Sequence, residues 1–297
     1  MILLTGASGF IGKHLLKKLV SIFGKDSILA FTSAPIEEAP YLLHNDYNFE
    51  TDYFIKSGFG MQIDTIIHAG AFTPKSSKGA NDVVKCTSNI TTADKLLQAI
   101  LPNLKKIIYL STIDVYGPAE IISESSQLEP TSLYGESKLY VEKMIKVWAI
   151  ANEKLHQILR VGHVYGPGEE SYQKIIPVTI QKILQEQPLQ IWGTGKEIRS
   201  FIYIKDVVNA IINASKLDMD AGVINLVSSQ KVTIAELVNK LVALSGKIIV
   251  PEVILSVTQG KDFIFDNSRM RTLLISNETV LDEGLLEEWT YLKNLQA

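Results

Sequence analysis

In the first half of the chain, short continuous apolar runs alternate with longer segments whose apolar positions recur every three or four residues. The runs are ILLT, SILAFT, DTIIHAG, KKIIYLST and HQILRVG, and the segments between them include FIGKHLLKKLVSIF, NITTADKLLQAIL and YGESKLYVEKMIKVWAIA. Unbroken short apolar runs suit strands buried on both faces of a parallel sheet, and the three-to-four spacing suits amphipathic helices that cover it. The pattern predicts an α/β fold with a Rossmann-like, doubly wound parallel sheet. After RVGHVYGPGEE the rhythm changes at Gly166, Pro167 and Gly168, a cluster that breaks regular structure. GVINLV then reads as one more strand of the first sheet. These signals place a Rossmann-like domain at 1–166, with 201–226 returning to it. A smaller, interleaved C-terminal α/β substrate domain takes 167–200 and 227–297.

The chain has 297 residues, 46% of them hydrophobic, with a formal charge of −3 and one cysteine. That length supports a substantial core. The small charge, with no Lys/Arg block, argues against nucleic-acid or membrane-surface binding. No apolar run reaches a membrane span, and MILL is too short for a signal-peptide core, so a cytoplasmic location is expected. Cys86 is read as a small buried hydrophobe, and no Cys/His cluster has metal-ligand spacing.

The sharpest local signal is MILLTGASGFIGKHLLKKL, where a strand runs into Gly6, Gly9 and Gly12 and then a helix closing at Gly24. In this setting glycines permit a tight turn, close backbone approach to a pyrophosphate and close helix packing, and the helix N-terminus faces the anion. Gly6, Ser8, Gly9, Phe10, Ile11 and Gly12 are therefore the candidate cofactor loop. The carboxyl end of the second strand would normally carry an acid for the ribose 2′-hydroxyl. Here it reads Thr32 and Ser33, and Asp26 lies at the strand's other end. Two hydroxyls without a carboxylate favour NADP over NAD, although no arginine is nearby to complete a 2′-phosphate site.

SLYGESKLYVEKM places Tyr134 and Lys138 four residues apart on one helix face. An ammonium near a phenol favours the phenolate, and so predicts a usable acid/base. Ser111 and Thr112 end the preceding apolar strand, where ligands bind in open α/β sheets.

The glycine loop, this hydroxyl pair and Tyr-x-x-x-Lys together resemble the extended short-chain dehydrogenase/reductases that act on nucleotide sugars. The likeness continues through DTIIHAGAFTP, NDYNF, SNITTADKLL, RVGHVYGPG, IWGTGKEIRSFIYIKDVVNAI and LDEGLLEEWTYL. It implies that Thr112 bonds the sugar oxygen, Tyr134 transfers the proton and Lys138 holds the nicotinamide ribose, with Asn89 in the catalytic set. It also places Ala69, Gly70, Ala71, Asp46 and Tyr47 beside the cofactor and Thr73 beside the substrate. Arg199 matches a diphosphate clamp, against the simpler reading of a surface ion pair. Trp192 either flanks the nucleotide base or packs in the core. A homodimer through the helices containing Asn89 and Tyr134 is implied as well.

The chain departs from that pattern in places. Dehydratases of the family follow the threonine with a proton-shuttling pair, whereas this chain has Ile113, which cannot donate, and Asp114. Asp114 is read as a substrate-side residue or, more simply, as a loop carboxylate. His163 stands where the family often has asparagine, either contacting substrate or packed, the latter preferred. The expectation is ketoreduction of a nucleotide-linked 4-keto-deoxysugar, ahead of 4-epimerisation, with dehydration and a non-catalytic NADP sensor behind. Intact Thr112, Tyr134 and Lys138 argue against the sensor.

Overall fold

A computed structural model describes residues 1–76, 78–254 and 261–296 of the chain. Its first strands and helices alternate as β1 (Ile2–Thr5), α1 (Phe10–Phe23), β2 (Ile28–Thr32), β3 (Tyr41–Leu43), α2 (Tyr53–Lys56), β4 (Thr65–His68), α3 (Val83–Gln98), β5 (Lys106–Thr112), α4 (Leu133–Ala151) and β6 (Leu155–Val161). Then follow β7 (His163–Tyr165), α5 (Ile175–Leu184), β8 (Gln190–Trp192), β9 (Ile198–Arg199), β10 (Phe201–Tyr203), α6 (Ile204–Lys216) and β11 (Gly222–Leu226). The chain closes with β12 (Val232–Thr233), α7 (Ile234–Ser245), β13 (Glu252–Ile254), α8 (Ser268–Leu273) and α9 (Leu281–Gln296).

Seven strands form one parallel sheet in the order β11-β6-β5-β4-β1-β2-β3. Alternating side chains on each strand feed two apolar layers. Leu4, Ala30, Ile67, Ile108 and Leu159 pack with α1 and α6, while Leu3, Phe31, Ile66, Ile107 and Ile158 pack with α3 and α4. Burial on both faces explains why these strands read as unbroken apolar runs. Chain order reverses between β1 and β4, and a crevice opens at their carboxyl ends.

Three helices start where a side chain satisfies a free N–H group. Asp82 accepts from Lys85 N at α3, and Ser132 accepts from Gly135 N at α4. Thr233 and Glu236 form a reciprocal capping box at α7. The Asp82 cap opens α3 well before Asn89, where the apolar spacing had begun the helix. The short β3 was not read from sequence; it is only the three residues YLL at the sheet edge, with Tyr41 and Leu43 exposed.

Beyond β6, α5, α7 and α9 pack together beside two-stranded pairs β10-β7, β12-β9 and β13-β8. Tyr165 and Tyr203 dock α9 against β7 and β10. Tyr165 Oη donates to Leu281 O at 3.3 Å and Tyr203 Oη to Glu287 Oε2 at 2.6 Å. Gly284 is needed there, because a Cβ at that position would lie 2.1 Å from Tyr165 Oη.

Candidate active site

The turn after β1 is built by contact between glycines. Gly6 has φ +71°, and a Cβ on it would meet the Gly70 backbone at 2.6 Å. A Cβ on Gly12 would lie 1.9 Å from Gly6 O, so this glycine lets the first turn of α1 close onto the loop. Gly9 precedes α1 in extended conformation and has no side-chain cap. The helix therefore presents its first N–H groups toward the crevice without a protein oxygen supplied by that residue.

From this loop a cleft of about 270 Å³ runs across the ends of β1, β4, β5 and β6. Its lining joins Gly6, Gly9, Phe10, Ile11 and Gly12 with Ala69, Ala71 and Thr73, and with Thr112, Asp114, Tyr134, Lys138 and His163. Residues from opposite ends of a long stretch of sequence thus face one space. Gly-backed floor, open helix N-terminus and adjacent phenol and ammonium fit a pyrophosphate-containing dinucleotide.

Tyr134 lies in the first turn of α4 and is buried. Burial, followed by the Asp114 charge, pushes its phenol above the ordinary tyrosine range, while the hydroxyls of Thr73 and Thr112 pull it down. The expected lowering by Lys138 is not among these influences. Lys138 Nζ instead donates to Leu110 O at 2.6 Å and lies 4.3 Å from the centre of the Tyr109 ring. Burial brings its ammonium down to about 7, with Glu142 opposing.

Behind these groups lies a buried polar layer that the sequence reading did not single out. Ser111 Oγ donates to Glu142 Oε1 at 2.5 Å, and Arg160 grips both Glu142 oxygens at 3.0 and 2.7 Å. Arg160 also donates to Tyr116 Oη at 2.8 Å, which donates to Asn225 Oδ1 at 2.7 Å. Paired in this way, the buried charges are compensated, and β5, α4, β6 and β11 are tied together beneath the cleft. A second buried contact joins Thr5 Oγ1 to His68 Nδ1 at 2.8 Å, with Gly70 N donating to Thr5 Oγ1 at 2.9 Å. Burial, then the charge of Lys138, holds His68 down at about 3, so its ring is neutral. Nothing local marks Arg160 or His68 as site supports, since each acts only through residues distant in sequence.

Other candidate residues fall outside the cleft lining. Asn89 is buried, accepting from Phe72 N at 2.7 Å and donating to Ser137 Oγ at 3.2 Å. It braces the segment that carries Thr73 against α4. Ser8 is half-buried, and Gly70 supports the glycine loop from below. Asp46 is exposed and Tyr47 buried, both with positive φ, and Tyr47 Oη lies where a Gly70 Cβ would stand. Thr32 is wholly buried and donates to Ala34 O at 3.1 Å, while Ser33 is exposed.

Trp192 and Arg199 share a separate depression of about 450 Å³ with Glu197 and Ile191. Trp192 is 67% exposed, which removes the core-packing alternative. Arg199 donates to Lys261 O at 2.6 Å and its guanidinium lies 5.1 Å from the Phe263 ring centre. Its charge still reaches His163 in the cleft. Burial first, then Arg199, lowers His163 to about 4, and His163 Nδ1 is buried without a hydrogen-bond partner among the described residues.

Tyr172 and Lys174 also line the cleft, although neither was a sequence candidate. Lys174 Nζ bonds Glu169 Oε2 and Val164 O, each at 2.8 Å. Among the described residues, no group of three or more His, Cys, Asp or Glu is placed to hold a metal, and no helix is long and apolar enough to cross a membrane. Cys86 is buried on α3.

Sheet order, glycine turn and a Thr/Tyr/Lys cleft define a Rossmann protein of the extended short-chain dehydrogenase/reductase class. The chain belongs to the NAD dependent epimerase/dehydratase family, whose model matches residues 2–226. It is 28% identical to a Bacillus subtilis (strain 168) protein named as an uncharacterized UDP-glucose epimerase, over 99% of this chain and 98% of that one. It is also 28% identical to an Escherichia coli dTDP-4-dehydro-6-deoxyglucose reductase, over 80% of this chain and 79% of the other. A UDP-glucuronic acid 4-epimerase from Bacillus cereus, solved with NAD, superposes with a TM-score of 0.84 at 26% identity, covering 100% of this chain and 99% of that one.

Proposed function

We propose that this protein is an NAD-dependent nucleotide-sugar 4-epimerase. The observation that carries the reading is the single cleft shared by the glycine loop, Thr112, Tyr134 and Lys138. Bound along that loop, a nicotinamide dinucleotide would supply the hydride acceptor and then the donor at hexose C4. Tyr134 takes the C4 hydroxyl proton as the ketone forms and returns it on reduction. Thr112 holds the same oxygen, and Lys138 binds the cofactor ribose. Arg199 and Trp192 hold the nucleotide part of the substrate from the neighbouring depression.

Two features favour NAD and epimerisation over consumption of NADPH. The hydroxyl hydrogen of Thr32 is already donated within the chain, leaving Ser33 as the free hydroxyl of the expected 2′-phosphate pair. Full-length similarity to an epimerase by name and to an NAD-bound 4-epimerase structure points the same way. Net 4-ketoreduction of a nucleotide-linked 4-keto-deoxysugar is the second reading, supported by similarity to the Escherichia coli reductase.

The test is Tyr134→Phe, which should lower turnover on a nucleotide hexose by about 10²- to 10⁴-fold while retaining NAD binding. Unchanged turnover would overturn the assignment. NAD retained through purification is expected of the epimerase; freely exchanging NADPH with net sugar reduction would establish the second reading instead.

We also propose that two copies pair through α3 and α4. Val83, Val84, Tyr140, Val147 and Ile150 are exposed there, with Val84 79% and Val147 69% accessible, and the groove between the helices is lined by Val83, Ile90 and Tyr140. Burying these apolar side chains against a second copy would remove them from water.

A further inference from the structure

Helix α1 carries Lys13, Lys17 and Lys18 and no acidic residue, although the chain as a whole has a formal charge of −3. It packs against α6 on the opposite side of the sheet from α3 and α4. Where the two helices meet lies a depression of about 340 Å³, lined by His14, Lys17, Lys18, Lys205 and Asn209 among others and by no carboxylate. None of these residues lines the catalytic cleft, and Lys17 and Lys18 sit in the second half of α1, away from its first turn.

Folding leaves much of this charge unspent. Lys205 is tied to Glu287 at 2.6 and 2.8 Å, but Lys17 and Lys18 are exposed and form no ion pair among the described residues. His14 is fixed at the depression by its Nε2, which bonds Pro167 O at 2.7 Å. Like charges gathered at one depression repel each other, and an anion placed between them turns that repulsion into attraction.

A second depression, of about 420 Å³, adjoins the first at Asn209, which lines both. Its character is different, because Ile22, Ile212, Leu274 and Ile275 supply apolar surface there. Ile22 is 43% exposed, so a flat ring can lie on it. Asn213 and Asn277 line the same space, and Asn213 Nδ2 is already given to Leu274 O at 2.7 Å, which leaves the exposed Asn277 to meet the edge of a ring. A long nucleic acid needs a wider basic surface than these few side chains on a net negative chain. Lysine ammonium groups beside an apolar shelf suit a small molecule that joins a phosphate chain to an aromatic ring.

We propose that the seam between α1 and α6 is a nucleotide site separate from the catalytic cleft, with the phosphate chain of a nucleoside triphosphate on Lys17 and Lys18 and its base on Ile22 and Asn277. Lys205, shared with Glu287, stands at the phosphate end, and Asn209 lies between the two parts. The site binds without covalent chemistry, and it does not depend on the C4 hydride-transfer reading.

The test is calorimetric titration of the full-length protein with magnesium-free ATP while NAD is held in saturating excess, so that the cofactor loop is filled. One ATP per chain is expected, bound at least about tenfold more tightly than inorganic tripolyphosphate. Lys17→Ser combined with Lys18→Ser should weaken ATP by about tenfold or more, and these exposed positions can change without unfolding the chain. Ile22→Ser should weaken ATP by about fivefold and leave tripolyphosphate unchanged. No ATP binding, or equal binding by the double lysine variant, would overturn the proposal. Tripolyphosphate binding as tightly as ATP, with no effect of Ile22→Ser, would overturn the base contact and the nucleotide site with it. Without ATP, the double lysine variant should turn over a nucleotide hexose as the wild type does, so failure of this site and failure of the C4 reading are seen separately.

Discussion

The hydroxyl of Thr32 has one hydrogen to give, and Ala34 O takes it at 3.1 Å inside a fully buried corner. A 2′-phosphate would therefore find Ser33 but not the second donor that the strand end promised. NAD should bind at least about tenfold more tightly than NADP, a difference of roughly 1.4 kcal/mol, when both are titrated by calorimetry. Tighter NADP binding would show that other groups make the phosphate site. At this scale much of the candidate site was legible: glycine spacing announced the turn, and Tyr134 and Lys138 stood four apart on a helix. Their chemistry was less so. The phenol is raised by burial and Asp114 rather than lowered by Lys138, because Lys138 turns to Leu110 O and the Tyr109 ring. Spacing places two residues on one face, but their partners come from other strands.

Helix α9 shows how an element can depend on a proton. Glu288 sits on it almost without exposure, and neither of its oxygens has a partner with a hydrogen to give among the described residues. Glu169, Lys174, Tyr165, Tyr203, Asp206 and Asp282 are the titratable groups gathered around it and its neighbour Tyr165. Burial first, then the Glu169 charge, pushes Glu288 well above the ordinary glutamate range. The folded state therefore binds a proton that the unfolded chain releases near pH 4.5. Its contribution to stability is full below that value and declines as pH rises toward the folded-state value. Glu288→Gln, which keeps a donor for Glu169 without a charge, should raise the thermal midpoint at pH 8. At pH 4 the two proteins should agree within about 2 °C. A midpoint lowered at both pH values would show that the amide does not replace the protonated carboxyl. The likeness of LDEGLLEEWTYL to a family segment did not single out Glu288, since Glu169 lies more than a hundred residues away.

At the scale of the whole molecule, the apolar face of α3 and α4 is the largest consequence still open to direct measurement. Val147→Glu combined with Tyr140→Glu should convert the protein from dimer to monomer in sedimentation velocity, because like charges would face one another across a two-fold axis. A variant that sediments as the wild type does would remove this face as the interface. The doubly wound sheet was readable from the chain because parallel strands buried on both faces must be continuously apolar, and their covering helices must not be. Return of β11 to the edge beside β6 was signalled in the same way by GVINLV. Local order along the chain thus determined the strands, the main helices, the glycine turn and the placing of Tyr134 and Lys138 on one helix face, since each depends on neighbours a few positions apart. Tertiary structure alone decided which side chains face the cleft, which are used up in buried bonds, and which charges reach one another. Thr32, Asn89, Asp114, Lys174 and Glu288 are all set by contacts across the fold, which fix the hydrogen-bond partners of Thr32, Asn89 and Lys174 and raise the proton affinity of Asp114 and Glu288.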